Sequence, residues 1–280
     1  FYNLFSFQLS NSIGIKDEID IRETQIANKN GIVTNIWISE ESIRNLKNKN
    51  IQILIVDIGE TSDKGKIQTQ FEEIQEFLGM VNKFERENNY DFVLLPYSEI
   101  NTENYYIDSD FENNFIQDYK NLVDMGFDGV YVDIEPVKDW NNYLILIQRL
   151  RDNYSEKSII GIYSGGVGDH TLNVWEWDLF MFEEISQLVD LIVIPGYDTG
   201  IKTEIEYISY LEDQFEQLTN NSIYTLLYFG IPTHNFHPET ITNAIDTYYS
   251  KDQSFDGYII FAEWTMEENE WEVYDRYNLA

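Results

Sequence analysis

Eight short apolar runs punctuate this sequence, at 32–38 (IVTNIWI), 51–58 (IQILIVDI), 91–97 (DFVLLPY), 129–135 (GVYVDIE), 158–164 (SIIGIYS), 190–197 (DLIVIPGY), 223–230 (IYTLLYFG) and 257–263 (GYIIFAE). They are rich in β-branched residues, and most are bounded by Gly, Asn, Asp or Ser, as strands buried on both faces of a parallel sheet are. Between most of them the apolar spacing lengthens to three and four. Residues 66–87 put Phe71, Ile74, Leu78 and Val81 on one helical face, and 110–125, 138–152, 175–189, 203–219 and 238–250 repeat the theme. A shorter helix is expected at 40–48, behind Ser39 as N-cap. Eight strands alternating with helices in 280 residues lead to an α/β fold, a (β/α)8 TIM barrel. Residues 4–10 (LFSFQLS) also alternate, so residues 1–30 are an N-terminal extension or hold the first strand; 32–38 is the preferred first strand. With no linker, low-complexity tract or internal repeat, 1–280 is expected to be a single domain.

Charge narrows the partners. Fifty acidic residues face 18 basic ones, a formal net charge of −32, and no Lys/Arg cluster interrupts the excess. Such a surface repels phosphate backbones and anionic lipid, which excludes nucleic acid and anionic membranes as main partners. No apolar stretch approaches the length of a membrane span. An acidic, soluble monomer acting outside the cell or at its surface is expected. The absence of cysteine excludes disulfide staples and thiolate chemistry. His170, His234 and His237 lack the spacing of a metal set, and IDSDFE at 107–112 lacks the Gly and terminal Glu of a calcium loop, so no metal or cofactor is expected.

The chemistry concentrates in the fourth run, FDGVYVDIEP at 127–136. Residues two apart on a strand share a face, so Tyr131, Asp133 and Glu135 point the same way, into the barrel, with Glu135 at the C-terminal rim where barrel enzymes keep their active sites. Two carboxyls on an inward face cost desolvation energy, and each disfavours ionisation of the other. One therefore stays protonated near neutral pH and is a candidate general acid for a leaving oxygen.

FDGVYVDIEP resembles the D-x-x-D-x-D-x-E signature on the fourth barrel strand of family 18 glycoside hydrolases, the chitinase and endo-β-N-acetylglucosaminidase group. Asp128, Asp133 and Glu135 match, while Tyr131 stands at the second acidic position. IPGYDTG at 194–200 is similar to the family's Tyr-Asp pair on the sixth strand, giving Tyr197 and Asp198, and FAEWTM at 261–266 puts Trp264 where the eighth strand supplies an indole. The resemblance implies retaining, substrate-assisted hydrolysis of β-linked N-acetylglucosamine polymers or glycans. In it, Glu135 is the acid, and Asp133 orients the 2-acetamido group that attacks the anomeric carbon. Tyr197 would bond the acetamido carbonyl, Asp198 would bind near the reacting sugar, and Trp264 would stack beneath the ring. Tyr131 is the departure: a phenol is neutral near pH 7 and cannot exchange negative charge with Asp133 as an Asp would. The absence of a long insertion after the seventh strand implies an open groove.

Other residues are weaker candidates. Tyr97, Tyr163 and Glu263 stand at strand ends where they would touch sugar or fill the barrel. Asp57, Glu60 and Glu99 read as solvated rim acids. Trp140, Trp175, Trp177 and Phe180 read as core of helical segments rather than sugar platforms. Two other readings stay open: a catalytically weak or inactive sugar-binding barrel, and a different barrel glycosidase acting on cell-wall polysaccharide.

Overall fold

The computed structural model describes residues 22, 24–102, 107–233, 236–251 and 255–278; the alternative first strand at 4–10 and His234 lie outside them. The strands are β1 (Gly31–Asn35), β2 (Ile53–Asp57), β3 (Val93–Tyr97), β4 (Glu99–Asn101), β5 (Gly129–Glu135), β6 (Ile159–Tyr163), β7 (Gly166–Val167), β8 (Glu176–Trp177), β9 (Leu191–Pro195), β10 (Leu226–Pro232) and β11 (Gly257–Phe261). The helices are α1 (Glu40–Asn48), α2 (Phe71–Asn88), α3 (Ser109–Met125), α4 (Trp140–Asn153), α5 (Leu179–Ile185), α6 (Glu204–Thr219), α7 (Ile241–Ser250) and α8 (Glu268–Asn278). Nine strands form one parallel sheet in the order β3-β2-β1-β11-β10-β9-β6-β5-β4, with β7 and β8 paired apart. This is a (β/α)8-type barrel, and all eight apolar runs supply its staves. β1 pairs with both β2 and β11, so the run at 32–38 does lie in the first stave.

The third stave is shared between two neighbours. β3 pairs with β2, the chain passes through buried Ser98, and β4 then pairs with β5. Tyr119 of α3 accepts the Ser98 N–H at 2.9 Å, which satisfies that backbone donor at the break. Below the break Asp128 bridges β3 and β5: its N–H donates to Leu94 O at 3.0 Å, and its Oδ2 accepts the Leu94 N–H at 2.8 Å. The same clamp recurs before β9, where Asp190 holds Ile160, and before β11, where Asp256 holds Leu227. An aspartate just ahead of a strand thus extends its pairing by one side chain at the barrel's lower rim.

Alternation divides the core in two. Val33, Ile53, Ile55, Val93, Leu95 and Ile259 belong to the cluster inside the barrel, whereas Ile32, Leu54, Val56, Leu94, Val130 and Val132 face the helices. Each helix covers that outer layer with one apolar face; α2 contributes Ile74, Phe77, Leu78, Val81 and Phe84. Ser39 caps α1 as expected, accepting the Ser42 N–H at 3.0 Å. The segment expected to be helical at 175–189 departs: 176–177 pairs with β7, Asp178 caps a shorter α5, and Trp177 is buried against Trp140 and Tyr143. Tertiary burial of that indole takes the backbone out of the helical register. Helix α8, after the eighth stave, was not among the expected elements.

Asp190 also carries Arg22 at 3.1 Å and Arg151 at 2.5 Å, with 3% of its own side chain exposed. Asp190→Asn leaves two cations under the barrel without a counter-charge. A loss of about 3–5 kcal/mol is expected, the range for breaking a buried ion pair on one side, read as a lowered urea midpoint.

Candidate active site

The inner face of β5 holds the first three candidates. Val130, Val132 and Ile134 pack outward, and Tyr131 joins the interior cluster. Asp133 and Glu135 continue that inner face towards the C-terminal mouth, about 6.6 Å apart along the strand from the rise per residue. Register places Glu99 beside Asp133 and Asn101 beside Glu135. Ile100 between them packs outward with Ile134, so Glu99 shares the inner face with Asp133. Asp57 ends β2 in register with Tyr97.

Tyrosines floor the mouth. Tyr97 meets Tyr131 edge-on at 6.0 Å between ring centroids, and Tyr163 lies alongside Tyr197 at 6.0 Å with their hydroxyls hydrogen-bonded. Tyr131 fits because residue 161 is glycine: a Cβ there would come within 2.8 Å of the Tyr131 ring. Tyr197 stacks on Phe261 at 5.0 Å, and Phe261 meets Trp264 edge-on at 6.2 Å. From the eighth stave the ring in direct contact with Tyr197 is therefore Phe261, the last residue of β11. Trp264 stands one contact further out, 45% exposed on a single turn of 3₁₀ helix that also carries half-buried Glu263.

Burial pushes both carboxyls well above the usual carboxylate range. At Asp133 the charges of Glu99 and Asp57 add to it; at Glu135 those of Asp133, Glu99 and Asp198 do. Among the described residues no basic side chain figures among the charges acting on either. Asp133 Oδ1 is buried with no hydrogen-bond partner among them. An ionised, unpaired oxygen there is costly, so the pair keeps a proton near neutral pH, and that proton belongs to the pair rather than to either residue.

The sixth-stave pair is held from a distance. Asp198 sits in the left-handed region at φ 56°, a conformation Asp tolerates better than most residues. Glu239, buried on the connection after β10, accepts the Asp198 N–H at 2.7 Å and the Thr199 N–H at 2.9 Å, and also the Thr199 hydroxyl. No spacing or composition distinguishes Glu239 from the other acids of so acidic a chain; only folding brings it under this turn. Phe261 lacks a sequence signal for the same reason, and Glu99, expected to be a solvated rim acid, is set apart from the others only by its register with Asp133.

Aromatics surround the opening. Trp37 after β1, Trp175 after β7 and Trp264 after β11 are 64%, 44% and 45% exposed, all on connections leaving the C-terminal end of the barrel. A small crevice lined by Glu135, Tyr163, Ser164 and Trp175 links the general-acid candidate to one of these indoles. Trp140 and Trp177 are core, as read from the sequence, but Trp175 and Phe180 are exposed. Exposed His237 pairs with Glu204 at 3.6 Å, and no group of His, Cys, Asp and Glu among the described residues is arranged to hold a metal.

No protein-family model matches this sequence, and no curated protein matches it either. Solved structures do share its fold. The spore cortex-lytic enzyme SleL of Bacillus megaterium QM B1551 superposes with a TM-score of 0.62 at 11% identity, over 88% of this chain and 74% of that one. A chitinase from Chromobacterium violaceum gives 0.61 at 12% identity, over 89% and 99%. A tamarind chitinase-like lectin gives 0.56 at 12% identity, over 90% and 97%. The barrel is thus chitinase-like in fold.

Two outcomes follow. Glu239→Ala strands two backbone donors and is expected to cost about 1–3 kcal/mol, the penalty for unsatisfied buried groups, seen in urea unfolding. For the pH dependence, raised carboxyl pKa values mean that the folded state binds more protons than the unfolded one between the ordinary and the raised values, so stability falls as pH rises through that window. Glu135→Gln carries no such titration. Its Tm advantage over the parent protein is expected to be larger at pH 8 than at pH 5.

Proposed function

We propose that the protein is a retaining glycoside hydrolase that cleaves β-1,4-linked N-acetylglucosamine-containing polysaccharides or glycans by substrate assistance. The observation that carries this reading is the placement of Asp133 and Glu135 on one inward strand face, with burial and neighbouring acids raising both carboxyls, at a barrel mouth ringed by tyrosines and exposed indoles. Protonated Glu135 gives its proton to the glycosidic oxygen as the bond to the anomeric carbon breaks. The acetamido carbonyl oxygen of the same sugar forms the new bond to that carbon, which leaves positive charge on the acetamido group. Asp133, ionised at this stage, accepts the acetamido N–H and balances the charge, while the Tyr197 hydroxyl donates to the carbonyl oxygen as it swings to attack. Glu135, now ionised, takes a proton from water, which opens the cyclic intermediate with net retention.

Trp264 and Trp175 offer flat apolar faces to pyranose rings on either side of the acid, and Asp198 offers an acceptor to sugar hydroxyls. Similar folds in proteins named as chitinases support the substrate class, and the acidic surface suits action outside the cell or at its surface. A second reading, a silent sugar-binding barrel, is favoured by one observation: a buried phenol, Tyr131, fills the position of an acid, and a lectin shares the fold.

Turnover of a chromogenic chito-oligosaccharide separates the two. Glu135→Gln is expected to lower kcat by about 10²–10⁴-fold, the usual worth of general acid catalysis, with little change in KM. If the parent protein turns over no faster than this variant while still binding the oligosaccharide, the silent barrel is the answer.

A further inference from the structure

Among the described residues, the titratable groups that interact with Asp133 are acids and phenols. Asp57 faces it from β2, Tyr97 from β3, Glu99 from β4, and Tyr131 and Glu135 from its own strand, with Tyr163 and Tyr197 across the mouth. The tyrosines Tyr119 and Tyr143 stand behind it, on α3 and α4. Among these Glu99 has a distinct position. It is in direct register with Asp133 on the adjacent strand, its side chain emerges on the same face, and it sits at the open end where water reaches it. Neighbouring residues in register across parallel strands lie about 4.8 Å apart at Cα, close enough for their side chains to interact strongly. Tyr131, one inward position below Asp133, supplies no charge near neutral pH. The split of the third stave makes this arrangement possible, because β3 pairs with β2 and the chain then joins β5 as β4 at Glu99.

The geometry points to Glu99 as the acidic partner of Asp133: it supplies from the neighbouring strand the negative charge that Tyr131 does not supply from the same one, and so sets the pH range in which the Asp133–Glu135 pair holds its single proton. Glu99 is thereby a positioning residue, acting through Asp133 and Glu135 rather than on the sugar. Its role in turnover rests on the hydrolase reading, but its effect on the pair does not. The charges of Glu99 and Asp57 both add to burial in holding the Asp133 carboxyl up, and Glu99 is the one in direct register with it.

The sign of the effect is set by like-charge repulsion. Removing the Glu99 charge makes both carboxyls easier to ionise, so both titrations move to lower pH. Asp133 must be ionised and Glu135 protonated for the proposed reaction, so both limbs of the pH–rate profile shift the same way. A structural lesion would lower the rate without moving the limbs. Because Glu99 is exposed, its substitution leaves the core untouched.

The test is carbon-13 NMR titration of Asp133 and Glu135 in the parent protein, Glu99→Gln, Glu99→Lys and the rim control Glu60→Gln, with pH–rate profiles on a chito-oligosaccharide run in parallel. Glu99→Gln is expected to lower the titration midpoint of Asp133 by about half to one pH unit, the size for one partly screened charge a few Å away. Glu99→Lys is expected to lower it further, and Glu60→Gln to leave it in place. Midpoints that do not move in either Glu99 variant, or that move equally in Glu60→Gln, overturn the assignment. Midpoints that shift as stated in a protein without turnover uphold the Glu99 role and reject the hydrolase reading instead.

Discussion

The period-two alternation of one strand governs this molecule. On β5 it sends Val130, Val132 and Ile134 to the helices and Tyr131, Asp133 and Glu135 into the barrel. A slip by one residue would exchange the two sets, burying carboxylates under α4 and leaving the mouth apolar. That slip is blocked at both ends. Asp128 clamps Leu94 below, and above it β4 sets Glu99 against Asp133 and Ile100 against Ile134. The three acids of the segment therefore do different work: Asp128 secures the register that delivers the other two to the mouth.

Holding two carboxyls in a partly dry mouth without a cation is unfavourable, and the surroundings relieve that cost only in part. Tyrosines line the floor and offer hydroxyls, yet one oxygen of Asp133 lacks a hydrogen-bond partner among the described residues. Glu239 treats the adjacent turn differently, satisfying the backbone N–H groups of Asp198 and Thr199 with one buried carboxylate. The turn beside the site is thus bonded, while an oxygen at its chemical centre has no partner among the described residues.

Much of the site was legible because strand spacing needs no tertiary knowledge. Tyr131, Asp133 and Glu135 share a face by alternation alone, and Tyr97, Tyr163 and Tyr197 stand at the ends of recognisable strands. What strand spacing could not show lies across strands or across the chain. Glu99 looked like one rim acid among several until β4 brought it level with Asp133, and Glu239 meets Asp198 over a separation of about forty residues. Phe261, not singled out in the sequence, stacks on Tyr197 across the mouth. The helix expected at 175–189 was cut short because Trp177 found a burial site that local propensity could not foresee.

The amino-acid sequence by itself determined the eight staves, their order and the inward face of the fourth, since these follow from the periodicity of apolar residues along a single segment. Tertiary structure alone decided which stave splits, which acid stands beside which, and how much water reaches them. Those properties depend on register between strands distant in sequence and on the dielectric of the enclosed mouth. Neither is encoded in any one stretch of chain, and both set the proton balance of Asp133 and Glu135.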